Sequence, residues 1–139
     1  MSQVTIVRYG NFAMNEERQM ILVDFVKYCA RALELSKPCR VAFVFDKNHP
    51  KKMTSTGICE FSSRTAFIYS KNRSLIDLMR SISHELVHMK QHELNTIDLN
   101  QVIVHFASPY EDEANTIGAR LMNAYADVVG YDSLMEGRV

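Results

Sequence analysis

The five residues His84-Glu85-Leu86-Val87-His88 carry the side chains needed to hold a divalent metal ion and to move a proton beside it. On an α-helix, residues four apart are separated by about 6 Å of rise and about 40° of rotation, so both imidazoles can converge on one ion. Zinc binds neutral imidazole nitrogen readily. Glu85 sits beside the first histidine without being a ligand, where a carboxylate can act as general base toward water. The competing reading is a pair of solvent-facing histidines and a surface carboxylate, and a pattern this short also arises by accident. The surrounding chain has to discriminate.

Two histidines leave zinc short of a third protein ligand. His92 continues the spacing of four, but it lies about 12 Å along the axis from His84 and cannot share an ion with it; it reads as a surface residue. The metzincin continuation fails, because Gln91 and Leu94 stand where that motif needs glycine and histidine. A carboxylate from another helix is the remaining solution. Ser108-Pro109-Tyr110-Glu111-Asp112-Glu113-Ala114-Asn115 begins one: Ser108 suits an N-cap, Pro109 suits the first helical position, and apolar residues recur through Val129. Glu111 and Glu113 compete for the role. Glu111 lies nearer the centre of the stripe Tyr110, Ala114, Ile117, Leu121, Tyr125 and Val128, and small Ala114 and Gly118 on that side permit a close approach to the His84 helix. Glu111 could instead complete a capping box with Ser108.

The positioning elements follow from periodicity. Ser74 as N-cap, with Asp77 three residues on, starts the motif helix, whose apolar positions Leu75, Leu78, Met79, Ile82, Leu86 and Met89 cluster on one side. His84 and His88 fall nearly opposite that stripe, which predicts that they face a cleft away from the core. Upstream, Asn15-Glu16-Glu17 opens a packing helix with Leu22, Phe25, Val26, Cys29 and Leu33 at helical spacing, ending at Ser36-Lys37-Pro38. Residues 4–9 suit a short strand closed by Gly10-Asn11. Residues 39–46 read as a buried strand and 47–55 as a polar loop. Strands at 57–61 and 65–70, joined by Ser62-Ser63-Arg64, read as an antiparallel hairpin. Residues 133–139 read as a fraying tail. The expected fold is α+β: a single domain over residues 1–139. It has a small mixed or antiparallel sheet packed on the motif helix, an N-terminal helix and a C-terminal ligand-bearing helix.

The His84 to Gln91 segment, followed some twenty residues later by Pro109-Tyr110-Glu111-Asp112-Glu113-Ala114-Asn115-Thr116-Ile117-Gly118, resembles the active-site half of gluzincin-type metallopeptidases. It is similar in particular to small ImmA/IrrE-like and phage-type metallopeptidase domains, over roughly residues 75–122. It departs from the ImmA/IrrE-like pattern at Val87, where glycine is typical. The resemblance implies that the single domain is zincin-like, with His84, His88 and Glu111 as ligands of one zinc ion, Asn115 as a partner of a ligand histidine, and Glu85 as the general base of peptide hydrolysis. It also implies that the strand at 65–70 is the edge strand along which an extended substrate aligns. Tyr110, Tyr125 and His105 are candidate donors to an oxyanion, each with a plain structural alternative.

Composition bounds the rest. At 139 residues and formal charge zero, one core is expected, and neither disorder nor a generally basic nucleic-acid binder is indicated. The N-terminus lacks signal-peptide order and no apolar run is long enough to span a membrane, so a soluble cytoplasmic protein acting on a protein or peptide is expected, without membrane or nucleic-acid partners. Cys29, Cys39 and Cys59 form no C-x-x-C pair and read as small buried hydrophobes rather than disulfides or a zinc ribbon. A catalytically silent zincin-fold regulatory module is one alternative. A DNA-associated SprT-like protease is the other, resting on Lys47, Lys51, Lys52, Arg64, Lys71 and Arg73 gathering near the hairpin; a solvated charged face is the plainer meaning of those charges.

Overall fold

The computed structural model describes residues 4–9, 14–46, 56–94 and 109–130. The elements run β1 (Val4–Tyr9), α1 (Glu16–Ala32), β2 (Cys39–Val44), β3 (Gly57–Glu60), β4 (Thr65–Tyr69), α2 (Leu75–Glu93) and α3 (Pro109–Val129). The expected 47–55 loop with Lys47, Lys51 and Lys52, the Gly10-Asn11 closure, His105, Ser108 and the 133–139 tail lie outside the described residues.

Two of the three helix starts read from the sequence, those at Asn15 and Ser74, are capped as expected. Asn15 Oδ1 accepts the Arg18 amide at 2.7 Å and Ser74 Oγ accepts the Asp77 amide at 3.1 Å, which satisfies donors that a first helical turn leaves open. The four strands form one mixed sheet in the order β1-β2-β4-β3, with β1 and β4 parallel to β2 and β3 antiparallel to β4. The chain is thus α+β, with a small mixed sheet and three helices among the described residues.

One expectation is corrected. The 65–70 strand is not at an edge: β4 is interior, and β3 is the outer strand on that side among the described residues. Burial explains why. Thr65, Ala66, Phe67 and Ile68 are all buried, whereas all four residues of β3 are half-buried; a continuous run covered on both faces belongs inside a sheet.

One face of the sheet, through Val41, Phe43, Ala66 and Ile68, joins a core with Leu22, Phe25 and Val26 of α1, Leu78, Met79, Ile82 and Leu86 of α2, and Ala114, Leu121 and Tyr125 of α3. Each large apolar side chain fully buried here contributes about 1.5–3 kcal/mol. The opposite face carries a smaller cluster around Ala42, Val44 and Phe67. Cys29 and Cys39 are buried, Cys59 is half-buried, and all three are free thiols held above the ordinary thiol range by burial. No helix among the described residues is long and apolar enough to cross a membrane.

A second correction concerns α2. Of the two histidines expected to face a cleft, His84 keeps a side-chain exposure of 20%, but His88 is 5% exposed, and Ser81, Ser83, Glu85, Val87 and Gln91 are buried as well. α3 packs along that side, so the helix is enclosed nearly all round. The wheel located the stripe but could not show what would lie across from it. The approach is close because Gly118 has no side chain: a Cβ there would stand 3.1 Å from Ser83 Oγ and 3.4 Å from the His84 backbone nitrogen.

Polar ties hold the frame. Arg64, at φ 51°, closes the β3–β4 turn, donates to the carbonyls of Lys37 and Pro38, and pairs with Glu93 at the end of α2. Arg73 donates to the carbonyls of Tyr69 and Asp77 and to Ser81 Oγ, joining β4 to α2. Gly118→Val is expected to overpack the α2–α3 contact and to lower unfolding free energy by about 1–3 kcal/mol, measurable by urea denaturation.

Candidate metal centre

One turn of α2 separates the two imidazoles, whose centroids lie 4.8 Å apart with planes at 85°. Their Nε2 atoms are 3.2 Å apart. The Glu111 carboxylate closes the set, with Oε2 2.9 Å from His84 Nε2 and Oε1 2.7 Å from His88 Nε2. Four-coordinate zinc with bonds of about 2.0–2.1 Å requires its donors about 3.3 Å apart. The two imidazole nitrogens stand at about that spacing, and one ligand atom from each of His84, His88 and Glu111 lies within 4.8 Å of the others, so the three residues could hold such an ion. Side-chain exposures of 20% for His84 and 22% for Glu111, against 6% for His88, set the opening of the site on the side of the first two.

The sequence left Glu111 and Glu113 in competition, and the structure brings them to different partners. Glu111 reaches both histidines, while Glu113 Oε1 accepts from Gln91 Nε2 at 2.8 Å. Gln91 is the residue that sequence reasoning missed. Its Oε1 accepts from His88 Nδ1 at 2.7 Å, and its Nε2 also donates to the Tyr110 carbonyl at 3.0 Å. With Nδ1 protonated, His88 Nε2 offers its lone pair to an ion, so Gln91 sets the tautomer and ties the ligand helix to the first turn of α3. The available signal was a polar side chain three residues after His88 on the same helix face; the position had been read only as a missing glycine. Asn115 hydrogen-bonds His84.

Of the other candidates, Tyr125 donates to Asp24 Oδ2 at 2.7 Å and packs on Phe25 and Tyr28. Fourteen helical residues put it about 21 Å from Glu111, which removes it as an oxyanion donor. Tyr110 stands next to Glu111 in the first turn of α3; its carbonyl accepts from Gln91, a contact that does not engage its hydroxyl. His92 stands outside the cluster and, instead of standing free at the surface, stacks on Phe61 at 4.7 Å.

Burial dominates the electrostatics. It lowers the His84 pKa, against the opposing charge of Glu111, and so favours the neutral imidazole that binds metal. Glu85 is pushed up to about 8, first by burial and then by the Glu111 charge. A cation held by the cluster would act in the opposite direction and favour the carboxylate.

The family model of the IrrE N-terminal-like domain, a peptidase family, matches residues 48–128. The chain belongs to this family. The match takes in β3, β4, α2 and nearly all of α3, and hence His84, Glu85, His88 and Glu111 together. No curated protein and no solved structure matches the chain. Membership makes this a metallopeptidase-like domain, in a family that also includes regulatory members. As an IrrE N-terminal-like domain it carries a His-His-Glu cluster suited to a metal ion.

Replacing Gln91 with leucine is expected to weaken zinc affinity about 10- to 100-fold, read by competition with a chromophoric chelator. A second expectation concerns pH. Because the folded value of Glu85 lies above its ordinary 4.5, the metal-free fold holds this proton more tightly than the unfolded chain does. Stability from that proton is present below about 4.5 and is lost as pH rises toward about 8. Metal-free Glu85→Gln protein should therefore melt about 5 °C above the parent at pH 8, with the gap closing near pH 4.5, by scanning calorimetry.

Proposed function

We propose that the chain is a zinc-dependent peptidase that hydrolyses peptide bonds within proteins, with Glu85 as general base and His84, His88 and Glu111 as the metal ligands. One observation carries the reading: a His-His-Glu set that could hold a metal ion has a buried carboxylate beside it, in a chain of a metallopeptidase-like family. Zinc in this set supplies a Lewis acid that lowers the pKa of a water and polarises a scissile carbonyl. Glu85 accepts the proton of the attacking water on a carboxylate oxygen and returns it to the leaving amine. His88 is held in its ligating tautomer by Gln91. An extended substrate pairs by backbone hydrogen bonds with β3, the outer strand, in place of the interior β4.

A silent regulatory module would have no use for Glu85, whose burial as a carboxylate is costly. The DNA-associated reading draws on six basic residues, of which Arg64 and Arg73 are turned to internal carbonyls and carboxylates.

The test is cleavage of an unstructured protein by the zinc-loaded chain. Glu85→Gln should keep stoichiometric zinc and lose about 10²- to 10⁴-fold in kcat/KM. Glu111→Ala should lose the metal. Unchanged cleavage by Glu85→Gln would remove the proposed base.

A further inference from the structure

Gly57 opens β3 with its inner side toward α2. A Cβ at this position would stand 2.8 Å from Glu85 Oε2, 3.1 Å from its Cγ and 3.2 Å from its Cδ. No side chain fits there while Glu85 stays where it is. Backbone conformation does not call for glycine at 57, since the only glycine at positive φ among the described residues is Gly130. Glycine in a strand weakens it and marks a place where another group approaches closely; here that group is the Glu85 carboxylate.

The wall is more firmly held than the side chain laid against it. Gly57 pairs with Ile68 of the interior strand. The preceding Thr56 carbonyl accepts from the Tyr69 amide at 3.1 Å and from Arg73 Nη1 at 3.4 Å. Arg73 is itself bound to α2 through Asp77 and Ser81. The start of β3 is thus tied both to the sheet and to the helix that carries Glu85. A side chain at 57 would be relieved by swinging Glu85, which has free torsions, and not by withdrawing the strand.

We propose that Gly57 is a positioning residue: its missing side chain makes the β3 backbone the wall that sets the Glu85 carboxylate beside the His84, His88 and Glu111 cluster. Any side chain at 57 turns the carboxylate away while leaving the metal ligands in place. The proposal rests on Glu85 as general base, and its test separates the two ideas.

Three measurements on the full chain decide it. In Gly57→Ala, zinc affinity should stay within about threefold, since no ligand moves, while kcat falls about 100-fold, the cost of a misplacement near 1 Å. In a Glu85→Asp background the same substitution should cost about tenfold or less, because aspartate lacks the Oε2 that stands 2.8 Å from the added Cβ and keeps only the looser Cγ contact near 3.1 Å; such non-additivity is the signature of a direct contact. An equal cost in both backgrounds overturns the proposal. The third measurement needs no activity: a crystal structure of metal-free Gly57→Ala should show the Glu85 carboxylate displaced by about 1 Å or more with β3 in register. An unmoved Glu85 with a displaced strand refutes the positioning role. Hydrolysis that survives Glu85→Gln would remove Glu85 as the base, and the crystallographic result would still decide what Gly57 does. A Gly57→Ala chain that folds only together with Glu85→Asp reports the same collision.

Discussion

α2 and α3 meet where Gly118 lies over Ser83 and the His84 backbone, with buried Ala114 one turn away. Two small residues on one helix face bring the axes near enough for a short carboxylate side chain to span from α3 to both imidazoles. A glutamate held a few ångströms further off would reach one histidine or neither. The donor set thus depends on the absence of side-chain volume beside it. Packing at protein density transmits any added methyl directly to the ligands, because there is no void to absorb it.

The same economy of volume recurs across the helix. On one side of the motif Gly118 admits α3, and on the other Gly57 admits the β3 backbone against Glu85. α2 is enclosed by elements that come closer than ordinary side chains allow, and its polar residues become buried polar residues. Two carboxylates close together in low dielectric repel each other, which with burial drives the Glu85 value upward. A divalent cation held by His84, His88 and Glu111 would reverse the balance, which would link metal affinity to the charge state of Glu85. Gln91 meets the remaining demand by giving every polar atom of its amide a partner from His88, Tyr110 or Glu113.

Outside the site, arginines do the joining. Arg64 ties the β3–β4 turn, the chain ahead of β2 and the end of α2 into one corner, where Glu93 also accepts from Ser36. Burial works against that carboxylate, yet the Ser36 donors and Arg64 hold it below the ordinary range. Arg73 does the same at the other end of the motif helix. From the sequence these side chains read most plainly as a solvated charged face, with a basic patch near the hairpin as the alternative, and the fold turns them inward.

Local patterns were legible because they depend on neighbours in the chain. Spacing of four on a helix, the caps at Asn15 and Ser74, the apolar stripe of α2 and the run in β2 follow from backbone geometry, and such patterns located the three helices of the described residues and the paired histidines. The pairing of His84 and His88 with Glu111, in preference to Glu113, could be narrowed by the stripe and by resemblance to a known motif. It took the helix crossing to bring the side chains together. The order of the strands, the covering of the histidine face, the role of Gln91 and the inward turn of Arg64 and Arg73 were not written in any local pattern. Each depends on which surface another element presents across a gap, and a one-dimensional periodicity carries the face of its own helix or strand without the identity of what lies opposite.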